Sequence, residues 1–182
     1  RHILRHDPDV VMVGEIRDKE TAKMAVESSL TGHIVLSTLH TNSAATTVTR
    51  LLEIGIAPYL VNTSLLAVLA QRLVRKNCPE CTEEETIPDA IRKSLGISEG
   101  EKFYKGKGSS HCYHTGYFGR AAVYELMVVD ANIRQNISDR PNADLLEQLA
   151  VQNGMVPLTQ MALSLARDKI TSLEEVHRVQ LY

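Results

Sequence analysis

An α/β fold with parallel strands is what this 182-residue sequence predicts, on three observations. Residues 9–13 form a run that is apolar after Asp9, a helix-compatible stretch follows from Asp18 to Leu30, and a second apolar run spans His33 to Thr38. Strand, helix and strand in succession make a β-α-β unit, whose strands run parallel with a right-handed crossover.

Each element has a local reason. The run 9–13, continuously apolar from Val10 and following Asp7-Pro8, predicts a strand buried on both faces. Asp18 is placed to cap a helix through Thr21 to Leu30, with Asp18 and Glu20 at the positive end of its dipole and Gly32 as terminator. Asn42 is the expected cap of a helix through Ile54, where Val48, Leu51 and Leu52 make an apolar face and Gly55 a stop. Pro58 opens a further predicted helix carrying Leu60, Leu65, Leu66, Val68 and Leu69. That helix would end in the basic cluster Arg72, Arg75 and Lys76, read either as cations complementing a helix carboxyl end or as contacts to phosphate or a partner.

Residues 77–119 change character. They hold Cys78-Pro79-Glu80-Cys81, the acidic run Glu83-Glu84-Glu85, a short helical pattern from Asp89 to Leu95, and Gly106-Lys107-Gly108-Ser109-Ser110-His111. This composition predicts an insertion built of turns around a candidate metal site. Tyr117 to Val129 is strand-like, and the tail is helical: one helix starts at Asn142 or Asp144 and ends near Gly154, and a second follows Pro157. Thr171-Ser172-Leu173-Glu174 reads as a capping box for the last.

The composition, 43% apolar and 23% charged, is that of a globular protein. The net charge of −2 divides into +2 for residues 1–77 and −4 for residues 78–182, so neither part has the basic excess of a nucleic-acid binder. No apolar run reaches the roughly 18 to 20 residues that span a bilayer, and residues 1–8 lack a signal-peptide core, which places the expectation in the cytoplasm. Three cysteines, two of them in Cys78-Pro79-Glu80-Cys81, suit a metal knuckle better than a disulfide. With no starting Met, the chain is expected to be part of something longer.

Glu15 closes the first strand, where open α/β sheets bind ligands. A carboxylate there can accept a hydrogen bond from an attacking water and help hold Mg²⁺ through a water shell; equally, Glu15 beside Arg17 reads as a solvated ion pair. The second strand is flanked by two imidazoles, but its extended length of about 17 Å lets only one lie beside Glu15. His40, past the carboxyl end, is the candidate for a γ-phosphate or its water, and His33 is read as structural.

These residues carry a resemblance. Leu4 through Ala22, including Asp9-Val10-Val11-Met12-Val13-Gly14-Glu15-Ile16-Arg17-Asp18, is similar to the Walker B segment of the type II secretion and type IV pilus (MSHA-like) assembly ATPases. Leu30-Thr31-Gly32-His33 through Ser37-Thr38-Leu39-His40-Thr41-Asn42 resembles their histidine box. The match continues through Arg50-Leu51-Leu52, Ala70-Gln71-Arg72-Leu73-Val74-Arg75 and Thr115-Gly116-Tyr117-Phe118-Gly119-Arg120. The resemblance implies the carboxyl-terminal half of a RecA-like P-loop ATPase core over residues 1–76, a metal-knuckle insertion over 77–119, and a strand with a helical subdomain over 120–182. It implies Glu15 and His40 as catalytic, with Gly14, Arg17, Asp18 and Thr38 around ATP and Mg²⁺. It also implies a homo-hexamer, working on an inner-membrane platform protein to power secretion or pilus assembly, without nucleic acid. Gly14 stands where many P-loop enzymes have a Mg²⁺-holding Asp, as is general in this family. No Gly-x-x-x-x-Gly-Lys-Ser/Thr occurs here, so the phosphate loop is expected upstream and the 182 residues alone are expected to be inactive.

Assembly-type members carry two Cys-x-x-Cys knuckles around Zn²⁺. This chain offers Cys78, Cys81 and Cys112, with Ser109 where the second knuckle should begin, leaving the fourth position to His111, His114, water or nothing. Three free thiols in a folded loop are the plainer alternative. A rival from another class is a zinc-knuckle interaction or nucleic-acid-binding domain, opposed by the acidic carboxyl part and by two Phe and no Trp for base stacking.

Overall fold

The computed structural model describes residues 8–138 and 141–181. In chain order the elements are β1 (Val10–Val13), α1 (Lys19–Leu30), β2 (Ile34–Ser37), α2 (Ala44–Glu53), α3 (Pro58–Ser64), β3 (Ala67–Asn77), β4 (Thr82–Glu85), α4 (Asp89–Ser94), β5 (Phe103–Gly106), β6 (Tyr117–Val128), α5 (Ala131–Asn136), α6 (Ala143–Gln152), α7 (Leu158–Arg167) and α8 (Leu173–Gln180). They form two units, one from the chain up to Ala70 with Leu126–Met155, the other from Gln71–Glu125 with Val156 onward. The part of the motif match at Leu4, Arg5, His6 and Asp7 lies outside the described residues.

In the first unit β1 and β2 pair in parallel, with Val10 opposite Ile34 and Val13 opposite Ser37. The crossover between them is α1, capped by Asp18, whose carboxylate accepts from Thr21 N at 2.8 Å. Gly32, just past its end, takes a φ of +100°, which glycine adopts without the steric cost other residues incur. The expectation that β1 is buried on both faces is overturned. Successive side chains of a strand point to opposite faces. Val11 and Val13 are half-buried, whereas Val10, Met12, Ile34 and Leu36 form an uncovered face, with Met12 75% exposed.

The cap of α2 is Ser43 rather than Asn42. Ser43 Oγ accepts from Thr46 N at 3.2 Å and Thr46 Oγ1 accepts from Ser43 N at 3.0 Å, a reciprocal box that satisfies two otherwise unpaired donors. Ala44, Val48 and Leu51 of α2 and Leu146 and Ala150 of α6 are buried, and the two helices pack together. The short helix α5 has no counterpart in the sequence reading; Asp130 caps it through Ile133 N at 2.9 Å.

The single helix expected from Pro58 to the basic cluster is also overturned. The chain leaves helical geometry at Leu65, with φ −79° and ψ 120°, and continues as β3. From Val68 to Val74 burial alternates: Ala70 and Val74 are buried while Leu69, Gln71 and Leu73 are exposed, a period of two that a strand satisfies and a helix cannot. Arg75 therefore sits in a strand, not at a helix end.

In the second unit the acidic run is a strand, not a turn. β4 pairs antiparallel with β5, from Thr82 opposite Gly106 to Glu85 opposite Phe103. Lysines offset its charge, Lys107 meeting Glu83 and Lys102 meeting Glu84. Glu175 of α8 is fully buried. Its carboxylate accepts from Arg75 N at 2.7 Å, Arg75 Nε at 2.9 Å and the Arg178 guanidinium at 2.7 Å. The expected capping box at Thr171 is not made. Ser172 occupies the cap position without a side-chain cap bond, because its hydroxyl meets Tyr117 OH at 2.8 Å and that of Thr171 donates to Arg75 O at 2.7 Å. Both hydroxyls serve the junction of α8 with β3 and β6, and the Arg75 guanidinium lies 4.0 Å from the centre of the Tyr117 ring.

Burial acts to raise the Glu175 pKa, but hydrogen bonds from Arg178 and Arg75 outweigh it and hold the carboxyl at about 2, against an ordinary 4.5. A depressed folded-state pKa contributes stability that is present above 4.5 and lost as pH falls toward 2. Replacing Glu175 by Ala removes an acceptor shared by two guanidiniums and by Arg75 N, and is expected to cost about 2–3 kcal/mol, below the full cost of breaking a buried pair because the guanidiniums reach solvent and keep Glu174 and the Leu73 carbonyl. Urea denaturation at pH 7 measures this, and the acid-sensitive loss of stability should be smaller in Glu175→Gln than in the parent chain.

Candidate functional site

The end of the β1–β2 pair is extended by two further bonds. Ile16 N donates to Thr38 O at 2.9 Å and Thr38 Oγ1 donates to Gly14 O at 2.7 Å, so the segments just past each strand stay together. Gly14 supplies that acceptor, and a Cβ added there would meet nothing within 4 Å. The site therefore uses the Gly14 carbonyl and places no steric demand for glycine.

This stitching sets Glu15 and His40 side by side. Glu15 Oε1 lies 2.9 Å from His40 Nε2, and Glu15 Oε2 accepts from Arg17 Nε at 2.6 Å. The first contact places a hydrogen on Nε2, so in the neutral ring Nδ1 keeps the lone pair. The Glu15 side chain is 22% exposed while His40 and Arg17 stand out into solvent. The Arg17 hydrogen bond holds the Glu15 carboxyl below its ordinary 4.5 against the opposing effect of burial, and the charges of Arg17 and His40 act the same way. Glu15 is thus a carboxylate at neutral pH, able to accept a hydrogen bond from water.

Asp18 is committed elsewhere, since its carboxylate caps α1 and the Thr21 N–H lowers its pKa. His33 is at the other end of β2, with Nδ1 3.0 Å from Ser28 O and 3.0 Å from Thr31 Oγ1. Glu15, Ile16, Arg17, Leu39, His40 and Arg50 line an open cavity of about 340 Å³. Arg50, which pairs with Glu53 at 3.3 Å, is the residue that sequence reasoning missed. It lies within the matched Arg50-Leu51-Leu52 segment and reaches this cavity from α2. One carboxylate, one imidazole and two guanidiniums around an open space suit a ligand that is anionic and is attacked by water.

The second unit gathers the three cysteines, none in a disulfide. Their sulfurs lie within 4.8 Å of one another, and those of Cys81 and Cys112 are 3.8 Å apart. Backbone N–H groups are aimed at them, Gly108 N at Cys81 Sγ (3.2 Å) and both Ser109 N (3.2 Å) and Gly116 N (3.3 Å) at Cys112 Sγ. Burial opposes ionisation of Cys112, but the Ser109 and Gly116 donors prevail and bring its pKa down to about 6; burial pushes Cys81 up. The loop that achieves this is tight. A Cβ on Gly106 would stand 2.0 Å from Gly116 O, so the two glycines permit a backbone approach no other residue allows.

Zinc–sulfur bonds of about 2.3 Å in a tetrahedron separate sulfurs by about 3.8 Å. The Cys81–Cys112 spacing and the aimed N–H donors fit the Zn²⁺ that the family resemblance implies. Neither histidine belongs to the cluster. His111 Nδ1 is 3.4 Å from Glu80 Oε1 and its ring lies tilted against Phe118, while His114 is exposed, with its backbone N–H donated to Ser109 O.

Comparison with known proteins agrees with this architecture. A family model described as Type II/IV secretion system protein matches residues 1–178. The Type IV pilus assembly ATPase PilB of Thermus thermophilus is 48% identical over 181 residues, covering 97% of this chain and 20% of the relative. The Type II secretion system ATPase E of Vibrio cholerae is 47% identical, covering 98% of this chain and 36% of the relative. The chain thus spans a fifth to about a third of the length of these relatives. Among solved structures, the pilus retraction motor PilT with bound ADP superposes with a TM-score of 0.65 at 26% identity, over 98% of this chain and 41% of that one. The Legionella pneumophila ATPase DotB has the same fold, with a TM-score of 0.66 at 22% identity over 100% of this chain and 41% of that one. With a family model matched along nearly its whole length, the chain belongs to the Type II/IV secretion system proteins.

Proposed function

We propose that this chain is the carboxyl-terminal half of a RecA-like P-loop core in an ATPase that powers type II secretion or type IV pilus assembly. The observation that carries the reading is the 2.9 Å contact between Glu15 and His40 at the ends of neighbouring parallel strands. In this reading Glu15 is the Walker B carboxylate. It accepts a hydrogen bond from the water attacking the γ-phosphate, and Arg17 fixes its orientation. His40 faces the terminal phosphate, and Arg17 and Arg50 supply positive charge where charge develops. Thr38 and Gly14 hold the two strand ends in register, and Asp18 anchors the helix behind them. Mg²⁺ bound with ATP neutralises phosphate charge, and Glu15 is the group here that can hold its water shell.

The Gly-x-x-x-x-Gly-Lys-Ser/Thr cradle is not in this sequence and belongs to another part of the longer protein. The uncovered apolar face of Val10, Met12, Ile34 and Leu36 supports that placement, since further strands and helices of the core would cover it. The working assembly is a homo-hexamer at the cytoplasmic side of the inner membrane, coupled to a platform protein of the secretion or pilus system. Among the described residues, no helix is long and apolar enough to cross a membrane.

Three measurements test this reading. In the full-length protein, Glu15→Gln should reduce ATP turnover by about 10² or more with nucleotide binding retained; unchanged turnover would assign Glu15 to a structural ion pair. In the 182-residue chain, Arg17→Ala should raise the Glu15 pKa toward 4.5, read from its carboxyl carbon-13 shift against pH. The same chain should show no tight ATP complex by calorimetry, and a tight one would contradict the placement of the phosphate cradle elsewhere.

A further inference from the structure

The family resemblance supplies four cysteines where this chain supplies three. Its fourth corner is defined by geometry. Ser109 Oγ lies 3.7 Å from Cys78 Sγ and 3.6 Å from Cys112 Sγ. A tetrahedral ion with zinc–oxygen and zinc–sulfur bonds of about 2.1 and 2.3 Å separates the two donors by about 3.6 Å. From these two sulfurs the hydroxyl therefore stands at the distance an oxygen ligand requires, while the His111 ring meets Glu80 and the His114 ring is exposed. The corners also differ in access: Cys78 and Cys112 are buried, Cys81 and Ser109 half-buried.

We propose that Ser109 makes this an exchangeable zinc centre, in which three thiolates hold the ion and the Ser109 hydroxyl occupies a fourth corner that an external ligand can take. A neutral hydroxyl is a hard, weak donor to a borderline-soft ion, whereas a thiolate is a strong one. Three sulfurs keep the loop closed, and the hydroxyl corner, facing the more accessible side, is the one that opens first. Consequently an incoming thiol or imidazole can enter without displacing a cysteine. The metal leaves by that route faster than from a four-sulfur site. This follows from donor type and access in the second unit alone, so it stands or falls independently of the ATPase reading.

The test uses the 182-residue chain loaded with zinc and challenged with a chromophoric chelator. One equivalent of zinc should bind and transfer to the chelator at least about tenfold faster than from Ser109→Cys, a difference in the range expected when a metal site loses a supporting group. Cobalt(II) in place of zinc gives a readout independent of activity. Its sulfur-to-cobalt absorption should rise in Ser109→Cys as a fourth thiolate joins. Titrating 2-mercaptoethanol into the cobalt-loaded parent chain should shift the spectrum toward that of the variant, a measurement that needs no mutant to fold. Absence of stoichiometric zinc, equal release from parent and variant, or a parent spectrum indifferent to added thiol would each overturn the proposal.

Discussion

The parallel register of β1 and β2, prolonged by the two bonds through Thr38, is the constraint on which the first unit depends. A strand pair specifies direction along its length but says little about the residues beyond its end, where the ladder stops. Here Ile16 N and Thr38 Oγ1 continue the pairing past Val13 and Ser37, so Glu15 and His40 are held before either side chain makes its own contact. The carboxylate then has both oxygens engaged, one by imidazole and one by guanidinium, which restricts it to a single orientation and keeps it ionised. Loss of the Thr38 hydroxyl would leave these side chains chemically unchanged and the Ile16 N–Thr38 O bond alone to hold the segments that carry them.

A different physical solution holds the second unit. A fully buried glutamate is costly unless every lone pair is used, and Glu175 meets that demand with one backbone and three side-chain N–H donors drawn from β3 and α8. The same guanidinium of Arg75 stacks on Tyr117, whose hydroxyl meets Ser172. Strand, helix and ribbon are thus joined by one set of interlocking polar contacts, and the loop that carries the cysteines is tethered beside it through the N–H of Cys78 and the carbonyl of Gly116, 2.9 Å apart.

What could be read from the sequence divides along locality. The β-α-β unit, the Asp18 cap, the glycine stops after α1 and α2 and the three tail helices follow from patterns within a few residues, and these appear at nearly the expected boundaries. The failures are tertiary. Residues 58–77 contain leucines compatible with either period, and only the pairing of β3 with β6 decides for a strand. Thr171 carries a capping-box pattern, but a carbonyl of β3 competes successfully for its hydroxyl. At the first site, motif resemblance pointed to Glu15 and His40, yet Arg50 joins the cavity from α2. At the second, spacing along the chain left Ser109, His111 and His114 as alternatives because a turn with positive φ at Tyr113 and His114 redirects the residues beside Cys112.

The uncovered face of β1 and β2 links the fold to the proposed activity. Full burial of a side chain such as Val, Leu, Ile or Met is worth about 1.5 to 3 kcal/mol, so Val10, Met12, Ile34 and Leu36 together represent a substantial unused driving force on one small sheet. Their alternation with the half-buried Val11, Val13 and Val35 means that the strands have two apolar faces, the pattern of parallel strands that are covered on both. On the proposed reading, the bare face and the cradle absent from the sequence have one explanation, that another segment of polypeptide completes the site.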